Sequence, residues 1–316
     1  MIAMGLMMLG IIVSSLFGGM EIVAPAVRTN AASAPPFWPF LFITIACGAV
    51  SGFHCLVSSG TSSKQVCNER DGVFVGIGSM LTEGALATLV IIAVIAGIGL
   101  GYQTNSGEFL TGTAAWSSHY SSWAEGLSVK VAAFIEGTAN MIENIGIPRG
   151  IAIGIMGVFV ASFAGTTLDT ATRIQRYVVS ELMVELKFNI FKNRYFTTSV
   201  VVVSALALAF ISGADGGGAL KLWPMFGAVN QTLAALALIV ATMYLKRRGG
   251  FKWLVTGIPA LFMVVMTMWA TVYNQIEYSS AHNILLQIIN IVIIVLVFLV
   301  VLEGFITFFK TVPEEN

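Results

Sequence analysis

Residues 162–173 place Ser162, Thr166, Asp169, Thr170 and Arg173 at i, i+4, i+7, i+8 and i+11. On a helix that spacing lines hydroxyls, a carboxylate and a guanidinium along one face. Hydroxyl and carboxylate oxygens are hard donors, suited to Na⁺ or to holding a proton. The Asp169–Arg173 pair, at i,i+4, reads equally as a salt bridge at the mouth of a span. Glu83 is a second carboxyl inside an apolar segment, where such groups face the protein interior and often relay protons. Its structural alternative is a packing carboxyl bonded to a neighbour. The third concentration is FWPFLFITIACGAVSGFHCLVSSGTSSK, residues 37–64, in which Gly48, Ser51, Gly52, His54, Ser58, Ser59 and Gly60 interrupt an apolar run. Exposed polar groups at such depth are strongly disfavoured in hydrocarbon, so the stretch reads as a helix broken near the bilayer midplane. The N–H groups freed at a half-helix N-terminus carry partial positive charge and suit a substrate carboxylate. His54 adds a donor of the one residue type whose charge ordinarily changes near neutrality. The spacing Gly48-x-x-x-Gly52 also fits a helix-packing seam. Asn230 and Gln231 set amides inside a further apolar stretch, where they need partners across helices or in a cavity.

Other chemistries find no support. There is no GxSxG or HExxH, and Ser58, Ser59 and His54 crowd one segment, so the chain is not expected to be an enzyme. Cys47, Cys55 and Cys67 show no paired spacing for a disulfide framework or a zinc site. No phosphate loop, dinucleotide fingerprint or nucleic-acid motif occurs. No cofactor is expected beyond H⁺ or Na⁺ as a coupling ion.

The elements that carry these residues follow from composition. Hydrophobic residues make up 57% of the 316 and charged residues 10%, with mean hydropathy +0.87, which is the composition of an all-α polytopic membrane protein. Eight segments meet the spanning length of about 20 residues: 1–23, 38–59, 73–101, 150–170, 196–213, 222–245, 253–273 and 283–309. Residues 1–23 lack a cationic lead and a small-residue cleavage site, so they are read as a span rather than a signal peptide. With an even number of spans the termini share a side. Twelve of the 16 Lys and Arg fall in one set of loops, leaving only Arg28, Lys130, Arg149 and Lys221 in the other. The positive-inside rule then makes both termini cytoplasmic in an inner (plasma) membrane protein.

Between spans, Pro25, Pro35 and Pro36 predict an extended outer loop, and GADGGG (213–218) a tight outer turn. In the long outer loop, Trp116, His119, Tyr120 and Trp123 suit an interface belt. Val131, Phe134, Ile135, Thr138, Ile142 and Ile145 recur at helical intervals, predicting an amphipathic helix over 126–144 that is a lid over a vestibule or a brace. Residues 176–194 predict a separate cytoplasmic amphipathic helix. The last two spans read as peripheral packing, with Asn290 a lone polar residue, and the tail 313–316 as loose.

Residues 39–64, 80–84, 131–140, 162–177 (SFAGTTLDTATRIQRY) and 222–238 (LWPMFGAVNQTLAALAL) resemble the carbon starvation protein A family of membrane transporters. The resemblance implies uptake of small carboxylate nutrients, pyruvate or short peptides, with proton coupling. It also implies a core like the second half of an inverted-repeat transporter plus two peripheral helices. The broken span then matches the first helix of that repeat, and span four the third. Thr166 and Thr167 match hydroxyl positions that hold an ion in sodium-coupled relatives. His54, Glu83, Asp169 and Arg173 fill family positions with the expected residue types, while Cys55 stands where a small apolar residue is common. Family members are longer, and the first repeat has no counterpart upstream of Met1. Either the sequence is a C-terminal fragment or starts at a misplaced position, as a non-transporting piece, or a separate N-terminal half chain or a second copy joins the small-molecule substrate and the lipid bilayer as expected partners.

Overall fold

A computed structural model describes residues 2–28, 36–104, 107–121, 127–210, 213 and 223–310. Most of the described chain is helical: α1 (Ile2–Leu16), α2 (Phe42–Ala49), α3 (Gly52–Gly60), α4 (Glu69–Ile95), α5 (Gly112–His119), α6 (Leu127–Glu143), α7 (Arg149–Glu185), α8 (Arg194–Phe210), α9 (Trp223–Arg247), α10 (Leu254–Ser280) and α11 (Ile284–Phe309). The only described strands, β1 (Tyr102–Gln103) and β2 (Phe109–Leu110), form a small antiparallel hairpin. Six helical stretches are long and apolar enough to cross a bilayer, and the shorter apolar helices α1 and α8 occupy the two remaining expected positions. The protein is an all-α, polytopic membrane protein. Parts of the outer loop (29–35), Trp123, most of the GADGGG turn (214–218) and the tail lie outside the described residues.

Several boundaries differ from the sequence reading, two of them at informative places. The first apolar run is helical only to Leu16. There the N–H groups of Gly18 and Met20 turn back onto the Ser14 carbonyl, and Gly19 adopts φ +64°. A left-handed glycine closing a helix in this way is a common stop signal. Span four does not end at Thr170. Helix α7 runs unbroken to Glu185, because nothing in 171–185 supplies a glycine or proline, and the separate helix expected over 176–194 is its continuation. The turn comes at Lys187, φ 68°, and Asn193 Oδ1 then accepts the Tyr195 N–H at 2.9 Å to start α8.

The chain divides into two compact units, Met1–Ala34 with Val66–Ala171, and Pro35–Gln65 with Thr172–Asn316. In the first, α6 packs against α1, α4 and the tight turn Gly97–Leu100. Ala139 and Ile142 of α6 are buried with Met7 of α1, Leu89 of α4 and Met156 of α7. A Cβ on Gly97 would overlap the Gly137 carbonyl, and one on Gly137 would overlap the Ala93 carbonyl. These two backbones touch because neither carries a side chain there. Helix α6 is thus a brace built into its unit.

In the second unit α9 is the hub, packing on α2, α3, α10 and α11. Ile43, Ala228 and Ala270 bury one layer, and Met225, Tyr278 and Leu286 another. Helix α9 has Ala and Thr at many inward positions (Ala228, Thr232, Ala234, Ala235), which lets backbones approach closely where apolar area alone drives little association in lipid.

Candidate substrate and coupling site

The span over residues 37–64 is two helices. At Val50 (φ −138°, ψ 91°) and Ser51 (φ −105°, ψ 128°) the backbone is extended, so α2 ends and α3 begins anew. A break inside a bilayer leaves N–H groups that need partners, and one side chain of α9 reaches both sides of this one. Asn230 is 2% exposed. Its Oδ1 accepts the Phe53 N–H at 2.7 Å, and its Nδ2 donates to Cys47 Sγ at 2.9 Å and to Ser51 Oγ at 3.2 Å. Ser51 Oγ, at the N-cap of α3, accepts the His54 N–H at 3.5 Å. One amide therefore clasps α2 through Cys47 and α3 through Phe53.

Gly52 makes the clasp possible. A Cβ there would overlap the Asn230 carbonyl and Leu233 Cβ, and stand 2.7 Å from Ala234 N. Alongside, Gln231 is fully buried and its Nε2 donates to the Ile43 carbonyl at 3.4 Å.

Of the residues expected to bind substrate, Ser51, Gly52 and Asn230 are brought together and buried. Gly48, His54, Ser58 and Ser59 are exposed on α2 and α3. The Ser58 and Ser59 hydroxyls each donate to the Cys55 carbonyl at 2.9 Å, and their lone pairs remain able to accept. Two of the N–H groups that the sequence reading offers to a carboxylate, those of Phe53 and His54, are taken by Asn230 and Ser51. The polar cluster at the break thus holds itself together, and the exposed side chains around it are the ones open to a ligand.

The coupling candidates belong to the other unit. Thr166 and Thr167 sit on α7 with hydroxyls donating to the carbonyls of Ser162 (2.9 Å) and Phe163 (3.0 Å). Asp169, midway along α7, and Glu83, midway along α4, have exposed side chains. An open groove of about 610 Å³ between the start of α1 and α7 is lined by Ile2, Ile151, Ile155, Val158, Phe159 and Ser162. Its apolar lining matches acyl chains better than a carboxylate.

Two features were missed from the sequence. Cys47 has no role in the sequence reading beyond its lack of a paired cysteine, yet its sulfur is an acceptor in the clasp. In the first unit Arg149 pairs with Glu136 and donates to Asn140 Oδ1, while Asn140 Nδ2 donates to the carbonyls of Gly97 (3.0 Å) and Gly101 (2.6 Å). Glu136, Asn140 and Glu143 share one face of α6 at i, i+4 and i+7, and that spacing was the available signal.

The family profile described as Carbon starvation protein CstA matches residues 1–143 and 122–270. The chain belongs to the CstA family. A peptide transporter CstA of Campylobacter jejuni is 34% identical over 287 residues, covering 78% of this chain and 40% of that protein. A peptide transporter CstA of Helicobacter pylori strain J99 is 33% identical over 280 residues, covering 77% and 40%. The pyruvate/proton symporter BtsT of Escherichia coli K12 is 31% identical over 315 residues, covering 79% and 43%. This CstA-family chain therefore spans about two fifths of the length of the curated relatives it matches. No solved structure gives a significant match. The relatives support a transporter role, and they point away from an enzymatic one.

Proposed function

We propose that the chain carries the substrate-binding and ion-coupling half of a secondary transporter that takes up small carboxylates, pyruvate or short peptides, with protons. The observation that carries this reading is the broken span clasped by Asn230, in a chain whose relatives bear the names of a peptide transporter and a pyruvate/proton symporter. A span interrupted by glycine near its middle is the hallmark of a midplane substrate site in such transporters. Asn230, Ser51 and Gly52 fix the geometry of the break. Gly48, His54, Ser58 and Ser59 offer the surface a carboxylate would meet, and the α3 N-terminus contributes its positive end. Protonation of Asp169 or Glu83 couples the gradient. Thr166, one turn before Asp169, adds a hydroxyl oxygen on the same face of α7, and Thr167 offers a second on another face. Substrate and ion are the only ligands this reading needs, in an inner membrane with both termini cytoplasmic.

A second reading is that this chain transports only together with another, either a separate N-terminal half or a second copy. Glu83 favours it, because its side chain is exposed within the apolar span of α4. A carboxyl turned to lipid inside a span is disfavoured, and a covering chain would relieve that. Proteoliposomes decide between the readings. Substrate-driven proton uptake by the chain alone, lost in Asp169→Asn, supports the first. Uptake that appears only with a co-reconstituted N-terminal half supports the second, and uptake unchanged in Asp169→Asn removes that residue from coupling.

A further inference from the structure

The start of α9, the end of α10 and the start of α11 hold a polar layer that the transport reading does not use. Asn274 and Tyr278 of α10 and Asn290 of α11 are 1%, 8% and 0% exposed. Asn290 Nδ2 donates to the Thr271 carbonyl and to Gln275 Oε1, both at 2.9 Å, so it stands at the level of Asn274. Tyr278 lies one turn further along the same face of α10, packed against Met225 of α9 and Leu286 of α11. Among the described residues, four atoms of this layer, Asn274 Nδ2 and Oδ1, the Tyr278 hydroxyl and Asn290 Oδ1, meet no protein group within hydrogen-bonding distance. Buried amides and hydroxyls are nearly always bonded, and the exceptions call for an explanation. Ala228 and Ala270, packed together one turn from Asn274, keep side-chain volume small beside the layer.

We propose that this layer is a site for ordered internal water between α9, α10 and α11. The donor set selects the ligand. Asn274 presents an NH₂ that needs an acceptor beside oxygens that accept, and Tyr278 presents a hydroxyl that does either. Water meets both demands, with about three hydrogen bonds per buried molecule. A cation would satisfy the oxygens and leave the Asn274 NH₂ facing positive charge. The layer also has no carboxylate to offset cation dehydration, since the nearest acid on α10, Glu277, is exposed. A wet layer of neutral groups between helices hydrates the backbone there and gives α10 and α11 a polar register in an otherwise apolar contact.

Hydroxyl-radical footprinting of the full chain in lipid nanodiscs tests this, because radicals generated from a bound water label the side chains beside it. Met225 and Tyr278 should be oxidised several-fold faster than Met7 and Met156, which are fully buried in an apolar cluster. Asn274→Leu should bring Met225 down to the Met156 rate, and Tyr278→Phe, which keeps the ring and its packing, should slow Met225 part of the way. Met225 labelling no faster than Met156 in the wild type overturns the proposal, as does fast labelling unchanged in both variants. A thermal midpoint raised by Na⁺ or K⁺ in the wild type and not in Asn274→Leu would replace water by a cation and overturn the assignment.

Discussion

Asn230 Oδ1 accepts the main-chain N–H of Phe53 at 2.7 Å across a sequence separation of 177. The same amide reaches Cys47 on the other side of the break. Replacing it removes the partner of a buried N–H, which costs about 1–3 kcal/mol. Asn230→Leu should lower the thermal midpoint and reduce uptake, with increased protease cleavage near Val50. Cys47→Ala leaves the Phe53 bond intact and removes only a weak sulfur acceptor, so its effect should be clearly smaller. Equal effects would show that the amide does not organise the break.

Gly52→Ala is the sharpest packing test. The added methyl meets backbone atoms of Asn230 and Ala234 rather than a flexible side-chain end. Overpacking of this kind typically costs about 1–3 kcal/mol. Gly48→Ala meets nothing within 4 Å, and should leave thermal stability close to wild type. A change in uptake for Gly48→Ala without a change in stability would place substrate at that exposed position.

The pH dependence of the first unit centres on Tyr120, whose phenol burial pushes up to about 12 from an ordinary value of 10. The folded chain holds this proton more tightly than the unfolded chain does. Stability is therefore whole below pH 10 and declines from pH 10 towards 12. Tyr120→Phe should show a shallower alkaline decline of the thermal midpoint, and ultraviolet titration should find one phenol fewer ionising near pH 12.

Orientation has a direct chemical reporter in Cys67, an exposed free thiol in the loop between α3 and α4. The positive-inside reading makes that loop cytoplasmic. A membrane-impermeant maleimide should modify Cys67 in inverted vesicles and spare it in intact cells, with the modified residue located by mass spectrometry. The opposite pattern would reverse the topology.

Much of this fold is legible in one sequence, for identifiable reasons. Eight apolar stretches announce eight helical positions because hydrocarbon demands them. The interruption of the second shows in the crowd of Gly, Ser and His around Val50. Other features need three dimensions. Asn230 was visible as an amide in want of a partner, but nothing local assigns it to residues 179 positions earlier. Asn290, read as solitary, proves to stand in a layer with Asn274 and Tyr278, because such layers form from single residues on separate helices. Helix α7 was cut at Thr170 by the spanning-length rule, which limits what lipid requires and not how far a helix continues beyond it.

A single amide that holds both pieces of the second span has a mechanical result. If the clasp holds throughout, residues 42–60 and the neighbouring part of α9 are expected to move together, and any alternation of access to pivot elsewhere along the chain. Probes on Ala49 and Val57 would keep a constant separation through a transport cycle while their distances to more remote helices change.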